Sequence, residues 1–308
     1  MARFFCACSP RVTATAAALL LAAALSASAQ TAPPAEAPSE SNRFIVFEHM
    51  GYKGRPDFQA FGIQPIYLLV TPSLWPGGDP VEMEQAIRAN VQKLARYVTR
   101  PPQLVCLDVE HWDLTTADPQ QLLTNLAKYA LLADWMHQAA PSVRLGYWGI
   151  LPNRGAQPAF IKNDQPRLEA WRASNVRITP LASHVDVVFP ALYTLTEDPQ
   201  VWRNFAIAAL QEARQYHKQV YPFLFPQFLD TENAGAFVPG DFWRVQLETC
   251  LEHADGVVIW SHSGAPRYGP DPAWNDDWPW WQETVSFLRQ RWASDGASPP
   301  ITADEPAK

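Results

Sequence analysis

The sequence predicts an α/β fold, a distorted, TIM-like (β/α) barrel of about seven parallel strands, over residues 43–293 of the 308-residue chain. Three observations carry this expectation. Short apolar runs rich in β-branched and aromatic residues alternate with longer stretches of helical period. The runs are almost continuously apolar, as strands buried on both faces of a parallel sheet must be. No G-x-G-x-x-G turn follows the first run, which argues against a dinucleotide-binding sheet.

In chain order the runs are Phe44 to Phe47, Ile66 to Val70, Leu104 to Leu107, Arg144 to Gly149, Val185 to Phe189, Val220 to Phe225 and Gly256 to Trp260. Helix starts separate several of them. Asp79-Pro80 supplies an N-cap and a first-turn proline, with Glu82 completing a capping box ahead of Met83, Ile87, Val91, Leu94 and Val98. Asp118-Pro119 and Asp198-Pro199 repeat that start before "QQLLTNLAKYALLADWMHQ" and "QVWRNFAIAALQEARQYHK". There is no repeat of 20 to 50 residues, so the chain is not a solenoid.

The ends read differently. Residues 1–29 carry Arg3 and Arg11, an Ala/Leu-rich apolar run and Ala27-Ser28-Ala29, the pattern of a cleaved secretory signal. The apolar run is shorter than the roughly 20 residues a membrane span needs. The mature protein is therefore expected in the periplasm or outside the cell, without a membrane anchor. Residues 30–42 and 294–308 are rich in Pro, Ala, Ser and acids, and read as disordered linker and tail.

Charge and cysteine content exclude several function classes. Cleavage takes Arg3 and Arg11 from 24 basic residues, leaving 22 against 31 acidic ones and a net charge of −9. That is a poor surface for nucleic acid, so no nucleic-acid partner is expected. Cys6 and Cys8 leave with the signal, and Cys106 and Cys250 are expected as free, buried thiols. No Cys or His pair has metal-ligand spacing, so neither a metal nor another cofactor is expected.

Candidate chemistry sits at the strand ends, because β/α barrels place their sites at the C-terminal ends of the strands. The first strand ends in Glu48-His49 and the third in Asp108 and Glu110. The fourth ends in Tyr147-Trp148, the fifth leads to Tyr193, the sixth to Gln227, and the seventh to Trp260 and His262. Carboxylates among aromatic rings suit a sugar, whose rings have apolar faces and polar edges.

In "LVCLDVEHWDL" (104–114), alternation places Asp108 and Glu110 on one face, with Cα atoms about 6.6 Å apart. Two carboxyls that close repel, so one tends to keep its proton, as a general acid must. Neighbours on one strand cannot flank a scissile bond. Either a third acid such as Glu48 is the nucleophile, or the substrate supplies its own. A D-x-E at a strand end can also be a plain structural cap. His49, His111 and His262 have no accompanying nucleophile motif and read as hydrogen-bonding or exposed residues.

"CLDVEHW" resembles the D-W-E-x-W signature of the hyaluronidases of animals and venoms, glycoside hydrolases with a distorted seven-stranded β/α barrel. "LGYWGILPN", "KNDQ" (162–165), "FPALY" and "DGVVIWSHSG" are similar to further motifs of that family, in the same order across residues 74–264. The resemblance implies an exported, bacterial-type member: a retaining endo-N-acetylhexosaminidase using substrate-assisted catalysis on an N-acetylated polysaccharide. It assigns Glu110 as acid/base, Asp108 as the carboxylate orienting the substrate acetamido group, and Tyr193 as its hydrogen-bonding partner. Trp260, Trp148, Tyr147, Trp112, Glu48 and Gln227 are the expected substrate contacts. Val109 stands where the family has Trp between the acids, Phe223 where it has Tyr, Asn153 where it has Asp, and Asp113-Leu114 where it has Arg-Pro. A barrel glycosidase with a conventional nucleophile, Glu48 or another acid, and a decayed carbohydrate-binding protein are the alternative readings.

Overall fold

The computed structural model describes residues 44–76, 85–99, 103–261 and 272–294. The expected signal and linker, the Asp79-Pro80 helix start with Glu82 and Met83, His262 and the tail from residue 295 lie outside the described residues.

The apolar runs form strands, and every strand pair is parallel. The strands are β1 (Ile45–His49), β2 (Gln64–Pro65), β3 (Tyr67–Val70), β4 (Leu104–Asp108), β5 (Arg144–Tyr147), β6 (Val187–Val188), β7 (Gln219–Val220), β8 (Phe223–Leu224) and β9 (Gly256–Trp260). They make three sheets, ordered β2-β1-β9-β8, β3-β4-β5 and β6-β7. The class is the α/β, parallel-strand one the sequence predicts, but seven continuous strands do not form. Five strands run four or five residues, and the other four are residue pairs.

Proline and a change of partner account for the breaks. Pro222 has no N–H to give a ladder, and it splits the run Val220 to Phe225 into β7 and β8. Ile66 gives its N–H to the Glu48 carbonyl at 3.1 Å, between a β2 paired with β1 and a β3 paired with β4. Single parallel bridges at Trp148–Phe189 and Ala191–Phe223 link neighbouring sheets.

Helices fill the intervals: α1 (Thr71–Leu74), α2 (Gln85–Ala95), α3 (Pro119–Ala139), α4 (Gln157–Lys162), α5 (Gln165–Ile178), α6 (Pro199–Arg214), α7 (Gly240–His253) and α8 (Pro279–Ser294). Asp118 accepts from the Gln120 N–H at 2.9 Å, and Asp198 from the Gln200 and Val201 N–H groups at 2.8 and 3.2 Å, so both Asp-Pro starts act as caps. "KNDQ" is a helix junction: Asn163 ends α4 in the left-handed region at φ 51°, and Asp164 caps α5 through the Arg167 N–H. Among the described residues, no helix is long and apolar enough to cross a membrane.

Strand alternation divides the interior into two apolar clusters. Leu104 and Cys106 join Phe47, Ile66, Val187, Phe189, Tyr221, Phe223 and Val258 in an inner cluster. Val105 and Leu107 point the other way, into the larger cluster between strands and helices. Cys106 is in the first and Cys250 in the second, both buried and free. At Gly146 a side chain is excluded outright, since a Cβ there would lie 2.2 Å from the Val187 carbonyl oxygen of the adjacent strand.

Candidate active site

The inner face of β4 leads straight to the site. Leu104 and Cys106 are buried; the next residue on that face is Asp108, half-buried at the strand end, followed by Glu110, exposed at the rim. Leu68, Trp148, Tyr193 and Trp260 pack on the open end of the inner cluster. With Asp108 and Glu110 they line a cleft of about 490 Å³. Thus five of the nine sequence-predicted site residues meet in one place: Asp108, Glu110, Trp148, Tyr193 and Trp260.

The rings form a continuous wall. Tyr193 stacks on Trp260 with centroids 5.5 Å apart and planes 15° apart, and lies 5.5 Å from Trp148. Trp260 also meets Phe225 at 5.3 Å. Flat apolar faces beside carboxyl groups are what a sugar ring needs.

Two residues that the sequence reading missed complete the site. Arg154 ion-pairs with Glu110 and lays its guanidinium over Trp148, 4.8 Å from the ring centroid. The loop after β5 brings it there. Gly149 takes φ +63° and accepts the Arg154 N–H at 2.9 Å, turning the chain back over its own strand end. Gln157, at the start of α4, is the second, and it also borders the cleft. Neither had a sequence signal beyond lying just past a strand end.

The carboxyl pair is electrostatically unequal. Burial, the nearby Glu110 charge and a hydrogen bond to Glu110 raise Asp108 from its ordinary 3.8 to about 7, against the opposing pull of Arg154. Asp108 Oδ1 is buried with no hydrogen-bond partner. Asp108 therefore holds its proton up to near neutral pH. Burial and the neighbouring carboxyl also push the Tyr193 hydroxyl well above its usual value, so it stays a donor.

Four expected substrate contacts are elsewhere. Trp112 and Tyr147 are core residues: Trp75, Trp112, Tyr129 and Tyr147 form an edge-to-face chain with successive centroids 5.6, 4.9 and 4.9 Å apart. The Tyr147 hydroxyl donates to the Tyr129 carbonyl, and the Tyr129 hydroxyl to the Val109 and Trp112 carbonyls. Tyr147 falls on the outer face of β5, opposite in sense to Trp148. Glu48 is buried, ion-paired with Arg55 at 2.9 Å, and accepts the Met50 N–H at 2.9 Å. Gln227 is buried and donates to the Gly235 carbonyl at 2.6 Å.

The departures from the family pattern divide in the same way. Val109 is buried in the outer cluster and faces away from the cleft. Phe223, buried in the inner cluster, does line the cleft. His49 and His111 hold hydrogen-bonding positions, to the Ile66 carbonyl at 3.3 Å and the Thr71 hydroxyl at 3.4 Å. Among the described residues, no three His, Cys, Asp or Glu side chains are grouped to hold a metal ion.

No protein-family model and no curated protein matches this sequence. Solved structures do. Bee venom hyaluronidase is 14% identical and matches with a TM-score of 0.56 over 82% of this chain and 98% of that one. The same enzyme in complex with a hyaluronic acid tetramer matches with a TM-score of 0.57 at 14% identity, over 82% and 96%. A glucosidase from Croceicoccus marinus matches with a TM-score of 0.46 at 11% identity, over 76% and 51%. At 14% identity the likeness to the hyaluronidase is one of fold.

Proposed function

We propose that the protein is an exported retaining endoglycosidase that cleaves an N-acetylhexosamine-containing polysaccharide, its short strand segments forming a distorted barrel of the hyaluronidase type. The observation that carries the reading is the Asp108–Glu110 pair, two hydrogen-bonded carboxyls side by side in an aromatic-walled cleft. The fold likeness to an enzyme crystallised with a hyaluronic acid tetramer supports the glycan class. The leader-like residues 1–29 support export.

The chemistry follows from both acids lying on one strand face. The acetamido carbonyl oxygen attacks the anomeric carbon of its own sugar as the bond to the leaving sugar breaks. Glu110, at the rim, delivers a proton to the leaving oxygen. That proton comes from Asp108 through the hydrogen bond the two share, and the resulting Asp108 anion holds the N–H of the cyclised, cationic intermediate. Tyr193 donates to the acetamido oxygen, and Trp260 and Trp148 bed the sugar faces. Water then opens the ring with Glu110 as base, returning the anomeric carbon to its starting configuration.

A nucleophilic Glu48 has no support, because Arg55 and the Met50 N–H already occupy its carboxylate. The test is a matched pair of substrates. An N-acetylated polysaccharide should be cut and its de-acetylated form left intact, with a thiazoline mimic of the cyclised intermediate inhibiting. Equal cleavage of both substrates would sink the substrate-assisted step. Glycan binding without any turnover would identify the chain as a binding module instead.

A further inference from the structure

Five carboxamide side chains are buried among the described residues: Asn125, Gln157, Asn175, Gln227 and Gln246. Four make hydrogen bonds. Asn125 donates to the Asp113 carbonyl, Asn175 accepts the Asn153 N–H, Gln227 donates to the Gly235 carbonyl, and Gln246 donates to the Thr194 hydroxyl. Gln157 is the exception. It is 3% exposed, and neither its amide nitrogen nor its oxygen has a partner.

A buried amide lacking both partners is costly, and native interiors seldom carry one. Gln157 carries it on the wall of the cleft that holds Asp108 and Glu110. We propose that Gln157 is a specificity-determining residue, whose carboxamide pairs with the vicinal hydroxyls of a sugar unit bound beside the cleavage site. This rests on the glycosidase reading of the cleft for its ligand class.

The ligand chemistry follows from the group. A primary amide presents a donor and an acceptor side by side. A vicinal diol answers both at once, one hydroxyl accepting from Nε2 and the other donating to Oε1. An acetamido group cannot, because a planar trans secondary amide points its N–H and C=O in opposite directions. The carboxamide atoms are themselves buried, so pairing takes a rotation of the side chain into the cleft. That rotation breaks no hydrogen bond, since the amide makes none in the free protein.

The experiment uses the full-length protein and Gln157→Met, which keeps chain length and removes the amide, with Gln157→Leu as a second variant. Melting temperatures are measured without ligand. Affinities follow for hyaluronan tetrasaccharide, which carries internal vicinal diols, and chitotetraose, whose internal rings have none. The expected result is a free variant at least as stable as wild type, about tenfold weaker binding of the first probe, and less than about twofold change for the second. Free variants that both melt several degrees lower would overturn the proposal, since the amide would then serve the fold. Undiminished affinity for the hyaluronan probe would also overturn it. If wild type binds neither probe, this inference and the glycosidase reading fall together. If hydrolysis is absent yet diol binding still depends on Gln157, the catalytic reading falls and this one stands.

Discussion

Arg154 pairs with Glu110 while stacked on Trp148, and beside that ion pair burial and the neighbouring carboxyl raise Asp108 to about 7. Glycosidase activity should therefore need the Asp108 proton and be lost as pH rises through about 7. Arg154 lowers the affinity of Asp108 for its proton. Replacing Arg154 with Met should move the alkaline limb of the kcat/KM profile upward by about half a pH unit, a shift kept small by the solvent around the guanidinium. A limb that stays in place would show that Arg154 does not govern the proton.

Glu110→Gln should lower kcat by at least about 10²-fold. The melting temperature should barely move, because the carboxylate is exposed and its ion pair is worth about 1 kcal/mol at most. Full activity in the variant would remove Glu110 from the acid/base role.

Asp108 couples the site to stability. Its carboxyl holds a proton to about 7 when folded and ionises near 3.8 when unfolded, so between those values the folded protein binds more protons. Stability should accordingly fall as pH climbs from about 4 to about 7. Asp108→Asn cannot ionise. Its melting temperature should exceed that of wild type above pH 7, with the gap closing toward pH 4; parallel curves would contradict the shift.

Glu48→Gln separates structure from chemistry. It weakens the contacts to Arg55 and the Met50 N–H and should cost about 1–2 kcal/mol in urea unfolding. Activity below the melting transition should be retained. Loss of turnover in a folded variant would revive Glu48 as a nucleophile.

Gly146→Ala tests the strand packing under the site. A methyl group 2.2 Å from the Val187 carbonyl must push β5 and β6 apart. The expected cost is about 1–3 kcal/mol or more, read as a lowered urea midpoint, because backbone rather than a flexible side chain is in the way.

What the sequence determined by itself is local. Period-two alternation over "LVCLD" foretold that Asp108 would share a face with Glu110, because alternation follows from strand geometry wherever the strand lies. The Asp-Pro starts foretold α3 and α6 for the same reason, as a cap satisfies N–H groups one turn away. Past the strand ends that rule lapses, and the path of the loop and the packing it meets decide where a side chain points. Tyr147 and Trp148, at the end of β5, still obey alternation, one joining the Trp112–Tyr129 core and the other walling the cleft. Glu48 shares the outer face of β1 with Val46, opposite to Phe47, and there Arg55 holds it in an ion pair. Arg154 and Gln157 reach the site only because the turn at Gly149 folds their loop back over β5. How far Asp108 holds its proton also depends on burial and on Arg154, and both arise only when distant segments of the chain are packed together.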